Sequence, residues 1–176
     1  EWLLLQNPRE PFSLGRSALP GQQHPGLGML GEFFGWLVVV AETLSLDGIL
    51  FHPNHYHVAA VSHRYGRFLE PGAEATVRAL GELLAGKSLA DASRAVDGGR
   101  VLEVRTGAVF RWQGWAMVLP ASDRLRRLTE GQAYERAVQD ARAGIELAVV
   151  PLEGEATGGV GRGRLGSRAA GPQSGS

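Results

Sequence analysis

Two groups of residues in this chain are of types and spacings that could do chemistry. The first is the run Leu19-Pro20-Gly21-Gln22-Gln23-His24-Pro25-Gly26-Leu27-Gly28-Met29-Leu30. Glycines directly before a helix allow close approach to the backbone, and the helix start offers unpaired N–H groups and a positive dipole end. Together these suit a phosphate or pyrophosphate. Pro25 has no N–H to give to such a ligand. The second group is histidine: His52, His55, His57 and His63 fall within twelve residues, with Asn54 and Tyr56 between them. Imidazoles can hold zinc or iron, line a substrate pocket, or move protons near neutral pH. On a helix, His55 and His57 would point about 200° apart, so one ion could not take both.

The elements that must position these groups are read from periodicity. Leu27, Leu30, Phe34, Leu37, Val38 and Ala41 recur at spacings of three and four, which predicts a helix over 27–44 that is buried on most sides. Asp47-Gly48 ends it. Gly48–Phe51 reads as a short strand and His55–Arg64 as a second helix. Further helices are expected over 73–85, 88–96 (Ser88 as N-cap) and 129–143. Strands are expected over 2–6, around 12–19, and over 101–105, 108–112, 115–119 and 145–150. Such alternation predicts an α/β domain over 1–152, a mixed β-sheet flanked by helices. Residues 153–176 hold eight of the 25 glycines and almost no large apolar side chain, which predicts a disordered tail.

Gln23-His24-Pro25-Gly26-Leu27-Gly28 has the form Gln/Arg-x-x-Gly-x-Gly/Ala. It resembles the acyl-CoA pyrophosphate loop of the GCN5-related N-acetyltransferase (GNAT) family. The stretch after this loop is also similar: a long apolar helix, the strand Gly48–Phe51, and a helix from about Asn54 through Ala59 and Ala60 to Tyr65-Gly66-Arg67-Phe68. The resemblance covers residues 19–70 and leaves 71–152 unplaced. Ser62 stands where the family usually carries a tyrosine that acts as general acid.

The resemblance implies a GNAT-like acyl-CoA-binding core with acetyl-CoA as co-substrate. Gln23, His24, Gly26, Leu27 and Gly28 would surround the pyrophosphate, and Gly48–Phe51 would splay from its neighbour to admit the pantetheine arm. An amine, small or carried on a protein, would attack the thioester directly. His52 would be the base, and Tyr56 or Tyr65 would protonate the departing thiolate. Two alternatives stay open: a GNAT-like module that binds or assembles without catalysis, and a metalloenzyme built on the histidines.

Composition narrows the field. With 18 Lys+Arg against 18 Asp+Glu there is no global basic field for nucleic acid. The sequence has no cysteine, which removes disulfides, thiolate metal sites and thiol catalysis. Phe110, Trp112 and Trp115 alternate as sheet-packing residues do. Arg124, Arg126 and Arg127 read as solvated surface. No Gly-x-Ser-x-Gly elbow occurs, and Gly86-Lys87-Ser88 lacks the first glycine of a Walker loop. The most apolar run, Phe33–Val40, is far shorter than the ~20 residues a bilayer span needs. A cytoplasmic protein is expected, with Phe33–Val40 suited to a homo-oligomeric contact.

Overall fold

A computed structural model describes residues 5–13 and 17–151. The expected tail over 153–176 and the first residues of the strand expected over 2–6 lie outside them.

The first helix, α1, spans Leu30–Thr43. It starts three residues later than the periodicity suggests because Gly28 takes φ +74°, which a helix cannot contain. It leads to β1 (Gly48–Phe51), α2 (Tyr56–Ser62), β2 (Arg67–Phe68) and α3 (Pro71–Leu83), which opens on a proline whose missing N–H costs nothing in the first turn. α4 (Leu89–Asp97) is capped as expected, the Asp91 N–H donating to Ser88 Oγ at 3.1 Å. Then come β3 (Val101–Glu103), β4 (Met117–Pro120), α5 (Asp123–Glu130), α6 (Gln132–Arg142) and β5 (Leu147–Val149).

Several expectations are corrected. The single helix over 129–143 is two helices, because Gly131 at ψ 163° breaks the backbone between α5 and α6. The strand over 108–112 is only an isolated bridge from Val109 to Leu102. No strand forms at residues 12–13 or 17–19. The sheet is not mixed: every strand pairing among the described residues is antiparallel. The three-stranded sheet runs β1-β4-β2, and β3 with β5 makes a separate ribbon. β1 pairs with β4 along its whole length, from Gly48 opposite Pro120 to Phe51 opposite Met117, so it does not splay from that neighbour. Its other edge has no strand partner among the described residues.

β4 is buried at every position. Glycines let its neighbours close on it: a Cβ on Gly48 would overlap the Leu119 carbonyl oxygen, and one on Gly66 the Val118 carbonyl oxygen. Phe68 and Met117 of the sheet pack with Ala59, Ala73 and Val77. A second cluster gathers Tyr56, Leu80, Leu84, Val96, Val101 and Phe110, and Trp112 and Trp115 touch both. Helix α1 is less buried than its sequence suggests. Phe34 and Ala41 face inward, the Phe34 ring 5.3 Å from that of Phe51, while Trp36 stays 61% exposed. No helix among the described residues is long and apolar enough to cross a membrane.

Candidate functional site

The glycine-rich run lies at the N-terminal end of α1, as expected, and the preceding segment is tied to it. The Leu27 N–H donates to Leu5 O at 2.9 Å and the Asn7 N–H to Pro25 O at 2.8 Å, which bridges Gln6 to Gly26. Consecutive N–H groups of Gln23 and His24 both donate to Gln6 Oε1, at 3.1 and 3.0 Å. Convergent N–H groups of this kind form a concavity for a negative oxygen, and here a side-chain amide oxygen occupies it. Three of the amides expected around a pyrophosphate are therefore engaged within the chain. Those of Gly26 and Gly28 have no acceptor among the described residues.

Tyr65 comes to the same place from the turn that follows α2. Its ring meets Phe34 edge-on at 5.6 Å, and its hydroxyl lies 2.6 Å from where a Cβ on Gly31 would sit. A glycine in the first turn of α1 thus makes room for a phenol at the helix start. The two tyrosines considered as acids are separated. Tyr56 is buried in the second cluster against Trp112, and burial raises its pKa above the ordinary value.

The four clustered histidines go to four different partners. His52 Nδ1 lies 3.0 Å from Gly114 O; a carbonyl can only accept, so Nδ1 carries the proton and Nε2 is left as a base. His55 pairs through Nδ1 with Asp97 at 3.2 Å. It stacks on His57, ring centres 5.4 Å apart, with Gly21 close over its Nε2. His57 is buried, its Nδ1 3.0 Å from Ser93 Oγ, and burial first, then the nearby His55, lowers its pKa to about 4. His63 Nε2 donates to Glu74 Oε1 at 2.6 Å. Among the described residues no three His, Asp or Glu side chains converge to hold a metal ion, so the donor geometry does not carry the metalloenzyme alternative.

Glu74 is the group the sequence did not single out. It is fully buried on α3, and its carboxylate accepts from His63, from Arg78 Nε at 2.9 Å and from the Phe68 N–H at 3.2 Å. Burial alone would raise its pKa, but these donors hold it below the usual carboxyl value. Arg78 continues to Glu135 on α6 through two parallel bonds of 2.8 Å, and its pKa is raised by that pair. A Glu–Arg spacing of i, i+4 was visible in the sequence, but such pairs are usually solvated surface. Only the packing of α6 and β2 over α3 buries this one. Ser62, which the resemblance would set at a tyrosine position, is also fully buried, and its hydroxyl has no partner among the described residues.

The chain matches no protein-family model, no curated protein and no solved structure.

Proposed function

We propose that this chain binds an acyl-CoA at the start of α1 and passes the acyl group to an amine, either a small molecule or an amine on a protein. The observation that carries the reading is the Tyr65 hydroxyl seated on Gly31, in the first turn of the helix that follows the glycine loop. Two others support it. The Gly26 and Gly28 amides have no acceptor among the described residues, which suits them to a phosphate oxygen. The edge of β1 that has no strand partner among the described residues could pair with the two amides of a pantetheine arm, as a sheet edge pairs with an extended peptide.

In this reading the amine nitrogen attacks the thioester carbonyl carbon and the C–S bond breaks. His52 Nε2 takes the proton lost by the nitrogen, and Tyr65 gives one to the thiolate. For the pyrophosphate to reach the Gln23 and His24 amides, the Gln6 side chain must swing away. Acetyl-CoA calorimetry on the chain and on its Gly28→Asp variant tests the binding step. The expected result is binding by the first and none by the second, and equal binding would remove the loop from the site. A radiolabelled acetyl-transfer assay over a panel of amines then tests the chemistry.

A second reading, a module of this kind that binds without catalysis, is favoured by one specific observation. The residue that the resemblance would set at the acid position, Ser62, is a fully buried serine. Binding of acetyl-CoA with no transfer to any amine would select it.

A further inference from the structure

One side of α1 is apolar where a surface helix is ordinarily charged. Met29, Phe33, Trp36, Val40 and Thr43 recur at spacings of four and three, and on a helix such positions share one face about 80° wide. Met29 belongs to it because its carbonyl already accepts from the Phe33 N–H, at 3.0 Å. This face lies about 130° round the helix from Phe34 and Ala41, the two residues that α1 buries within the chain. Met29 is 53% exposed, and the exposed Trp36 ring lies beside that of Phe33, centres 6.4 Å apart.

α1 therefore carries two apolar stripes, and the chain's own sheet covers only one. A helix that is hydrophobic on most sides is normally covered on most sides. Of its 14 residues only Glu32 and Glu42 are charged, and neither belongs to the second stripe. With exposed Val39 and Leu44 at its margins, the face offers on the order of 600 Å² of apolar surface. That is about the share, roughly 600 Å², that each partner gives to the smallest stable, specific interfaces.

The occupant follows from the spacing and from the order of sizes. A four-three stripe is shaped to receive another helix. Trp36 stands at its midpoint, seven residues from both Met29 and Thr43. A two-fold axis beside Trp36 thus lays the larger half, Met29 and Phe33, over the smaller half, Val40 and Thr43, of a second copy. The antiparallel arrangement also opposes the helix dipoles and keeps the two Glu32 carboxylates apart. We propose that this face of α1 is a homodimer interface, in which two copies pair their α1 helices antiparallel about Trp36. Gly31, under the Tyr65 hydroxyl, lies on the other side of the helix, so the dimer does not depend on acyl-CoA binding.

The test is sedimentation equilibrium of the full chain from micromolar concentration to about 0.5 mM, without acetyl-CoA. The mass of two chains is expected at the upper end. Trp36→Glu, at an exposed position, should stay folded by circular dichroism and be monomeric throughout. Met29→Lys, just before the helix, should weaken the dimer at least tenfold. Leu128→Glu, on α5 and as exposed as Trp36, is the control and should dimerise like the unaltered chain. A monomer up to the highest concentration would overturn the proposal, and flotation of that monomer with phosphatidylcholine vesicles would give the face to lipid instead. A dimer unaffected by both Trp36→Glu and Met29→Lys would place the contact elsewhere, and growth beyond two copies would exclude the closed pair.

Discussion

The hydroxyl of Tyr65 rests on Gly31, 2.6 Å from the position a Cβ would occupy, so a residue from the turn after α2 reaches the first turn of α1. Tyr65→Phe removes the hydroxyl, the proton donor of the proposed function, and leaves the ring on Phe34. Acyl transfer is expected to fall on the order of 10²-fold while acetyl-CoA affinity stays within about twofold. Steady-state kinetics and calorimetry on the same protein separate the two effects. Unchanged turnover would remove Tyr65 from the chemistry.

Gly48 has no room for a side chain against the Leu119 carbonyl. Gly48→Ala must push β1 away from β4 or bend it, at a cost of about 1–3 kcal/mol. Gly35→Ala, in an open position on α1, is the control and should be neutral or stabilising. Urea unfolding measures both, and equal midpoints for the two variants would contradict the tight β1–β4 approach.

His57 makes stability depend on pH. The unfolded chain takes up its proton near pH 6.5 and the folded chain only near 4, so protonation favours unfolding. Stability is complete above about pH 6.5 and falls as pH drops toward 4, by about 3 kcal/mol from this residue. Glu74 adds to the decline only at lower pH, since its lowered pKa contributes stability that is lost as pH falls below 4.5 and through its folded value. His57→Asn, which can keep a bond to Ser93 without titrating, should flatten the slope between pH 6.5 and 4.5. Parallel slopes for the two proteins would assign the effect elsewhere.

Glu74→Gln takes the charge from a fully buried group with three donors and leaves Arg78 and His63 with a weaker partner. Breaking a buried pair on one side costs about 3–5 kcal/mol. Glu135→Gln, at the more exposed end of the same chain of bonds, should cost clearly less. Chemical denaturation at pH 7 ranks them, and an equal or reversed order would show that Glu74 does not anchor α3.

The residues by themselves determined the local elements where patterning and chemistry agree. The cap at Ser88, the strand Gly48–Phe51 and a helix between the glycine-rich run and that strand follow from propensity and period, whereas the start of that helix at Leu30 does not. The order of loop, helix, strand and helix also sufficed to suggest a ligand class. Where a short apolar run pairs is a long-range matter that period does not encode. Residues 101–105 and 145–150 therefore gave no hint of forming their own ribbon, or β4 of entering between β1 and β2.

Only the tertiary structure sent each histidine to a different partner, while stacking His55 on His57, and turned Glu74 from an ordinary helix-surface carboxylate into a buried anchor. It also set Tyr65, not Tyr56, at the start of α1. Residue type fixes what a side chain can do. Its burial and its partners, which decide what it does, depend on elements far away in the chain that pack over it.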